Sequence, residues 1–454
     1  MMLKTLAKIA YNRANKALVS LFGAGRIHRT NKNWLPSLKR GREEDQDISK
    51  VYGVGRCRDI AKSDYVNGAV KREKVNVVQD GIRVKYKNKK INEMYQLWSR
   101  VPQFCDLYGI NSISGMAKII LSQLETDGEI FVRRHYLPRS VCPIKLCLEL
   151  IEMDSISTLH DNGTDTRNGI KYDSIGRPET YYFYIEDSLT GQEIEVAAKD
   201  IIHIFNQSRA SSVRGTPGLE SVAVAYKDTK DYQWYESLAA KIHASIGFFL
   251  ESDVPESYNE ENETFPDYIE PGKIITLPGG MKFTNSGQQR PGGTYQPYLQ
   301  TMLQGLSAGL NQAYPNVTQD YTSSSFASAR MATIEERSIF RDKQRFLRDN
   351  FYQPVDVWFL EAGSISGDYS SQGILDILKT VYLENKYLFP GYDWVDPYKD
   401  AKAIQILLEA KLITWEQALA FRQQDYDETI ERLKVEAKDL LEIDNIDKLR
   451  GSHE

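Results

Sequence analysis

The sequence predicts an α+β fold that is mostly helical and carries one block of strands in its first half. Apolar residues recur at steps of three and four along much of the chain, which is the spacing of one helix face. Between residues 127 and 205, short strand-like stretches are separated by Gly, Pro, Asn and Asp. A chain of 454 residues is long enough for two or three domains.

The first 50 residues predict a basic arm. Ten Lys and Arg and no acid occur before residue 43. Residues 1–22 have the pattern of an amphipathic helix, and residues 23–50 that of an extended linker. A targeting peptide, a membrane-surface helix, a docking arm and a solvated arm all remain open. A secretory signal is not expected, because its apolar core would be interrupted by Lys8, Arg13 and Lys16.

Residues 51–215 predict an α+β domain. Helical patterns come first, at Asp59–Val77, Ile91–Val101 and Ile113–Leu124. Strand patterns follow, at 127–137, 144–151, 169–187 and Ile201–Phe205. The third strand pattern is a hairpin, with its turn formed by Ser174, Gly176 and Pro178.

Two long helices then flank a small β-rich insert. The first begins in RGTPGLES, residues 214–221, and runs to about Ser245, while the second spans Gln296–Ala313 and ends at Pro315. The insert opens with residues 251–270, which hold eight acids and no base, and continues with strand-like Lys273–Leu277. An insert between the ends of two adjacent helices is expected to project from the body of the fold.

A loop of small hydroxyl side chains joined to a long helix occupies residues 318–360. The Ser/Thr-rich run from Thr322 to Ser328 leads into a helical pattern, and Pro354 predicts a kink within it. A polar loop that caps an ordinary core helix is the simpler interpretation of the local pattern. The remaining chain, about 371–450, has helical patterns with a break at 389–397.

Motifs for catalysis, cofactors and metals are not found. Gly272-Lys273 lacks the other residues of a P-loop, and GVGRCR at 53–58 lacks the third glycine of a dinucleotide loop and predicts a plain turn. The six histidines are scattered, so neither a cofactor nor a zinc site is expected. Reduced, buried thiols are predicted for the four cysteines, Cys57, Cys105, Cys142 and Cys147.

The net charge of −5 argues against a protein that grips DNA statically, but not against a passage through which DNA moves. Residues 305–346 carry a more specific signal. Their ordered pattern comprises AGL at 308–310, Tyr314, Tyr321, Ser325, Ala329-Arg330 and Glu336. Supporting positions elsewhere are Asp127-Gly128-Glu129, Ile201–Phe205 followed by Arg214-Gly215, and Asp396-Pro397 with Lys399.

These residues resemble, in order and spacing, the portal proteins of lambda-type tailed bacteriophages across residues 50–430. Asn311 stands where that family usually has glycine, and Pro315-Asn316 is unusual. The resemblance implies a dodecameric ring with a central DNA channel at the unique capsid vertex. It also implies a portal-type fold with these parts: basic arm 1–50, α+β wing 51–215, first stem helix 216–250, clip 251–295, second stem helix 296–314, tunnel loop 315–330, long kinked wing helix and connection 331–385, and helical crown 386–454.

The resemblance assigns functional residues as well. The tunnel loop that touches DNA comprises Thr318, Gln319, Asp320, Tyr321, Thr322, Ser323, Ser324, Ser325 and Ser328. Arg330 and Glu336 are expected to anchor the loop, with Arg330 folded back against Glu335 or Glu336. The docking face of the clip is assigned to Glu256, Glu260, Glu261 and Glu263.

The implied partners are further copies of the chain, double-stranded DNA, the terminase large subunit, the major capsid protein or scaffold, and a neck adaptor protein. The resulting hypothesis is a non-enzymatic channel of the virion through which the genome is packaged, retained and ejected. It would be assembled in the host cytoplasm and have no membrane partner. One alternative is a nucleic-acid-processing enzyme such as a terminase or nuclease component, which would require a carboxylate metal cluster or nucleotide loop. A second alternative is a peripheral membrane protein acting through residues 1–22.

Overall fold

The computed structural model describes residues 38–45, 48–138, 142, 144–184, 192–245, 249–252, 281–284, 293–322, 325–368, 373–394 and 396–451. Helices and strands both contribute to this part of the chain, in agreement with the predicted α+β class. Residues 1–37 of the basic arm, the acidic segment beyond Ser252 and the strand expected at Lys273–Leu277 lie outside the described ranges. No helix within those ranges is long and apolar enough to cross a membrane.

Six helices form the first helical group: α1 (Gly41–Glu44), α2 (Ile48–Ala61), α3 (Asp64–Val78), α4 (Lys89–Arg100), α5 (Pro102–Cys105) and α6 (Ile113–Thr126). The single pattern expected at Asp59–Val77 is therefore two helices. They separate at Ser63, which has extended backbone angles and donates its hydroxyl to the Ile60 carbonyl. The helix α1 also replaces part of the linker expected at 23–50.

The turn predicted at 53–58 is wrong, because these residues lie inside α2. Val54, Cys57 and Ile60 follow one another at steps of three and are all buried. Burial of this face outweighs the low helix propensity of Gly53 and Gly55. Tertiary packing therefore decides the local structure here.

Two antiparallel sheets follow the first helices. One has the order β3 (Leu146–Ile151), β2 (Glu129–Tyr136), β8 (Ile201–Phe205), and pairs Phe131 with both Ile151 and His203. The other has the strand order β4 (Thr166–Arg167), β5 (Ile170–Tyr172), β6 (Pro178–Tyr184), β7 (Glu193–Ala197). The hairpin β5–β6 was predicted, whereas β4 is too short and β7 too rich in acid to be recognised from sequence.

The main core joins the three-stranded sheet to helices that precede it in the chain, such as α4 and α6, and to helices that follow it. Trp98 is fully buried and donates its indole N–H to the Leu146 carbonyl at 2.9 Å, connecting α4 to β3. Phe359 packs edge-on against Tyr95, with ring centroids 5.0 Å apart. All four cysteines are buried and free, which confirms that prediction.

The long helices on either side of the insert share a second core. These are α7 (Glu220–Ser245) and α8 (Tyr295–Gly309), which pack on α2 and α3 through Val222, Tyr226, Leu303 and Leu306, together with Leu219 just before α7. Between them, β9 (Phe249–Ser252) pairs antiparallel with β10 (Met281–Thr284). The helix α8 ends before the predicted stop at Pro315, which instead lies in the first turn of α9 (Tyr314–Thr318). Proline is well tolerated there, because a first-turn N–H has no helical partner.

The long helix is continuous from Phe326 to Ser366. It consists of α10 (Phe326–Leu347), a π-helical turn (Arg348–Tyr352) and α11 (Gln353–Ser366). The disruption expected from Pro354 is therefore a π turn that ends just ahead of it, with the Gln353 N–H donating to the Arg348 carbonyl. At 1.5 Å per residue, the whole element is about 60 Å long.

The described residues of the carboxyl-terminal part form helices and one strand, and the break predicted at 389–397 ends where a helix begins at Pro397. Its elements are α12 (Ile374–Lys379), a π turn (Thr380–Glu384), β11 (Lys386–Leu388), α13 (Pro397–Glu409), α14 (Trp415–Ala420) and α15 (Tyr426–Gly451). The helical expectation was wrong for β11, which pairs with β1 (Arg83–Lys85). That pairing joins segments about 300 residues apart, so local sequence could not indicate it.

Candidate functional site

The hydroxyl-rich loop is shorter than the predicted 315–330. The helix α9 occupies its first residues and ends at Gln319, whose φ of +61° is left-handed. At the other end, Ser325 caps α10 by accepting a hydrogen bond from the Ser328 N–H at 3.2 Å. Ser323 and Ser324 lie outside the described residues. The loop thus connects two helix ends with defined caps.

The loop carries hydroxyl groups and one carboxylate, and exposed apolar side chains follow it in α10. The Asp320 carboxylate accepts hydrogen bonds from the Thr322 N–H at 3.0 Å and from the Thr322 hydroxyl at 2.6 Å. The hydroxyl bond is the main reason that the pKa of Asp320 lies below its usual value. Tyr321 in the loop, and Phe326 and Met331 in the helix that follows it, are exposed. Between Thr318 and Ala329 the sequence has no Lys or Arg.

Arg330 does not fold back on Glu335 or Glu336, so that expectation is wrong. Its Nη2 donates to Asp400 Oδ1 at 2.9 Å, which connects α10 to α13. Residues five or six apart on a helix point in different directions, whereas pairs three or four apart face each other. Asp396 caps α13 by accepting from the Lys399 N–H at 3.2 Å. The matching residues Asp396-Pro397 and Lys399 thus lie at the start of α13, the helix whose Asp400 binds Arg330.

Glu336, the second residue expected to anchor the loop, contacts the helix α9 that precedes it. The side chain is 5% exposed, and its carboxylate accepts a hydrogen bond from the Asn316 amide. Burial raises the pKa of the Glu336 carboxyl. The side-chain oxygen of Asn316, Oδ1, in turn accepts a hydrogen bond from the Tyr321 hydroxyl at 3.0 Å. Asn316 appeared in the sequence only as a departure from the family pattern, yet it links the loop to the long helix.

Lys343 joins the long helix to two other helices. Its Nζ lies 2.7 Å from Glu73 of α3 and 2.7 Å from Glu125 of α6. Burial raises the pKa of Glu73 to about 7, with a contribution from the nearby charge of Glu125. Gln344 adds a buried hydrogen bond of 3.0 Å to the Val77 carbonyl. Sequence reasoning missed this cluster, because Lys343 is 218 residues from Glu125 along the chain and still farther from Glu73.

Glu129 lies at the centre of a buried polar cluster. It is 0% exposed and accepts hydrogen bonds from the Arg214 guanidinium, from His203 at 3.0 Å and from the Gly215 N–H at 3.0 Å. Burial alone would raise the pKa of Glu129, but the charge of Arg214 and the His203 hydrogen bond hold it well below its usual range. The side chain is therefore an ionised carboxylate inside the fold.

The same cluster brings together two of the short motifs. Asp127-Gly128-Glu129 and Arg214-Gly215 come into contact, and a Cβ on Gly215 would lie 1.9 Å from the Gly128 carbonyl oxygen. Gly128 also needs its φ of +86°, which favours glycine. These residues hold the start of α7 against β2. Their role in this structure is architectural.

In the part of the chain that the structure describes, no group of three or more His, Cys, Asp and Glu could hold a metal ion. The acids assigned to the clip face, Glu256, Glu260, Glu261 and Glu263, lie outside the described ranges. The arrangement of the described residues supports a hydroxyl-bearing loop held at both ends.

Residues 28–344 match the family model described as phage portal protein, lambda family. The chain belongs to this family. The membership confirms the resemblance carried by residues 305–346, and the family is one of structural proteins. At one of the departures, Asn311 has a φ of +54°, a conformation that glycine adopts freely and asparagine tolerates.

Two curated relatives show how far the similarity extends. The probable portal protein of Halomonas phage phiHAP-1 is 23% identical over 439 residues, which cover 87% of this chain and 82% of that protein. Portal protein B of Escherichia phage lambda is 21% identical over 349 residues, which cover 66% of this chain and 64% of that protein. The match thus spans somewhat less than two thirds of the lambda protein.

Two solved structures are also similar to this chain. A chain in the virion of a native gene transfer agent particle has a TM-score of 0.47 and 12% identity, covering 83% of this chain and 94% of that chain. A chain in the neck of the native particle with C12 symmetry has a TM-score of 0.44 and 13% identity, covering 84% and 98%. The family assignment depends on the sequence match and not on these scores.

Proposed function

We propose that copies of this chain form a dodecameric ring whose central channel conducts double-stranded DNA at the unique vertex of a phage head. The observation that carries the proposal is the match of residues 28–344 to the lambda family of portal proteins. In this function the ring packages the genome together with the terminase, retains it, attaches the neck and later releases the DNA. The chain itself performs no catalytic step.

We assign Thr318–Ser328 to the narrowest part of the channel. The loop lies at the amino-terminal end of a helix about 60 Å long, and its side chains donate and accept single hydrogen bonds. Each such bond contributes about 0.5–1.5 kcal/mol net, so contacts with phosphates can break and form again as DNA advances. A row of lysines would instead hold each phosphate electrostatically.

The anchors of the loop support this assignment. The Arg330–Asp400 ion pair holds one end, and the Tyr321–Asn316–Glu336 chain of hydrogen bonds holds the other. A loop held in this way keeps its position while its tip contacts a moving duplex. Exposure of Phe326 and Met331 beside the loop is compatible with contacts between neighbouring copies around the channel.

The remaining parts follow the family pattern. We assign residues 51–215 and the long helix to the wing, α7 and α8 to the stem, residues 251–295 to the clip and residues 386–454 to the crown. The acidic clip segment is proposed to dock the terminase large subunit and then a neck adaptor protein, and the outer surface to meet the major capsid protein or scaffold. The mature location is the portal vertex of the virion, after assembly in the host cytoplasm.

Electron micrographs of the purified protein test the proposal. Class averages are expected to show closed rings with a central hole, at micromolar concentration and over a range of salt concentrations. A monodisperse monomer in sedimentation under all these conditions would overturn the ring. ATP turnover that copurifies with the chain and disappears after a point substitution within it would contradict the non-enzymatic function.

A further inference from the structure

Four arginines lie along one face of the long helix. Arg337, Arg341, Arg345 and Arg348 follow one another at steps of four, four and three residues. Residues spaced in this way fall within about 80° of one another around a helix and extend over about 16 Å of its length. We call these four residues the arginine row.

The arginine row carries an excess of positive charge. Its first three members make no ion pair among the described residues, and Arg341 and Arg345 are exposed. Arg348 pairs with Asp349, its neighbour in the chain, at 2.6 Å. Asp342 is the other acid of this stretch, and both acids lie within about one turn of Arg345. Neither of them forms an ion pair with Arg345, so the cations outnumber the acids that accompany them.

Aromatic rings from the segment after β11 hold the arginine row in position. The guanidinium carbon of Arg337 lies 5.1 Å from the centroid of the Tyr392 ring, and that of Arg341 lies 5.9 Å from the same centroid. The guanidinium carbon of Arg348 lies 5.8 Å from the centroid of the Phe389 ring. A cation that contacts a ring keeps its charge and its N–H donors. The row is therefore partly ordered before a ligand binds, which lowers the entropy cost of binding.

A fifth arginine comes close to this region from the carboxyl-terminal helices. Arg422 follows α14 and is exposed. Its backbone packs on Gly391, since a Cβ added to that glycine would lie 3.1 Å from the Arg422 Cα, and Tyr392 is the next residue. The Arg422 guanidinium carbon lies 5.1 Å from the centroid of the Trp394 ring. With the exposed Asp393 included, arginines still outnumber acids here.

An ordered row of guanidinium groups suits the phosphates of a nucleic acid. Members four residues apart are separated by about 6 Å along the helix. Each guanidinium can donate two parallel hydrogen bonds to one phosphate. Phosphates repeat evenly along a DNA strand, so several contacts can form at once. The net charge of −5 belongs to the whole chain, whereas the field at this helix face is set by the arginines nearby.

We propose that the arginine row binds phosphates of double-stranded DNA, as a second contact separate from the tunnel loop. The proposal rests on the proposed function for its ligand. Arg337 lies nine residues beyond Ser328, or about 13 Å farther along the helix. The loop has no Lys or Arg between Thr318 and Ala329. The loop thus offers single hydrogen bonds, and the row adds an attraction that weakens as salt is added.

The salt dependence of DNA binding tests the arginine row. Fluorescence anisotropy measures binding of the full chain to a duplex of about 30 base pairs between about 50 and 200 mM salt. Each lost phosphate contact lowers the slope of log K against log salt by about 0.9, so Arg341→Gln/Arg345→Gln should lower it by about 2. Arg341→Lys/Arg345→Lys keeps both charges and should keep the slope.

The matched control removes the same charge elsewhere. Arg56→Gln/Arg177→Gln changes two exposed arginines, one in α2 and one in the β5–β6 turn, and should leave the slope unchanged. An unchanged slope in Arg341→Gln/Arg345→Gln, or an equal decrease in the control, would overturn the DNA contact. So would a decrease seen with a poly-glutamate peptide and not with the duplex, which would assign the row to an acidic protein.

Ring formation is measured on the same samples by electron microscopy. Rings should form normally in Arg341→Gln/Arg345→Gln. Loss of rings in this variant, with rings kept in the control, would make the row a contact between copies and overturn the DNA contact. Failure of the unchanged protein to form rings would overturn the proposed function instead, and the slopes would still decide whether the row binds DNA.

Discussion

Arg214 donates a hydrogen bond from its Nε to Glu129, its Nη2 lies 2.5 Å from Oε1 of the same carboxylate, and both side chains are buried. The pair connects β2 of the three-stranded sheet to the segment that leads into α7. His203 and the Gly215 N–H complete the hydrogen bonding of the same carboxylate. A contact of this kind fixes the orientation of α7 relative to the sheet, and so also affects the position of β9, which follows α7 in the chain.

Removal of Arg214 should destabilise the fold strongly. Arg214→Leu leaves Glu129 as a buried, uncompensated charge, which costs about 3–5 kcal/mol of unfolding free energy. Arg214→Lys should have a smaller effect, since it keeps the charge but not the two-bond geometry. Guanidinium unfolding measures both. Lys227→Ala, which removes an exposed ion pair with Asp231, is the control, and an equal loss in that variant would contradict the prediction.

Asp356 should make stability depend on pH. It is 0% exposed on α11, accepts a hydrogen bond from the Tyr387 hydroxyl at 2.6 Å, and burial raises its pKa to about 7. An unfolded aspartate titrates near 3.9, so the folded state holds an extra proton between about pH 4 and pH 7. The contribution of Asp356 to the free energy of unfolding therefore falls as the pH rises from about 4 to about 7, and it does not change further above pH 7.

Asp356→Asn should remove that loss. Relative to the parent, the variant should gain unfolding free energy from pH 4 to pH 7, by up to about 4 kcal/mol, with no further gain at pH 8. Denaturant unfolding at each pH measures the difference. Asp320→Asn, in the exposed loop, should follow the parent between pH 5 and pH 8. Parallel stability curves for the parent and Asp356→Asn would show that Asp356 does not titrate in this range.

Changes in the proposed tunnel loop should affect DNA and not assembly. Shortening Ser323–Ser325 should leave rings intact but impair retention or full-length packaging of the genome, because the hydroxyl contacts at the constriction are lost. Replacing Ser323 and Ser324 by Lys should stall translocation through fixed phosphate contacts. The lengths of packaged DNA report both effects. Normal packaging and retention in both variants would remove the loop from the constriction.

The acidic segment 251–270 should steer a basic partner. Replacing Glu256, Glu260, Glu261 and Glu263 by Gln should slow association with the terminase large subunit at low salt, and the difference should shrink as salt is added. Stopped-flow or surface-binding kinetics measure the on-rate. An unchanged on-rate at low salt would mean that the segment is only a solvated loop.

Patterns that repeat locally were sufficient for much of the fold. Helix-face spacing predicted α4, α6, α7 and the long helix, because each presents an apolar face to one of the two cores. Turn residues predicted the β5–β6 hairpin, and Pro354 indicated the irregularity of the long helix. The ordered motifs at 305–346 predicted membership of the portal family, although they did not by themselves indicate any catalytic or binding chemistry.

Tertiary structure decided the rest, because the deciding partners are distant in sequence. The helix α2 forms across Gly53 and Gly55 because its other face is buried, and β11 is a strand because β1 pairs with it. Arg330 binds Asp400 and not Glu336, since helix geometry separates the nearer residues and folding brings the farther one close. Buried charges such as Glu129 and Lys343 likewise acquire their partners only when separate elements pack together.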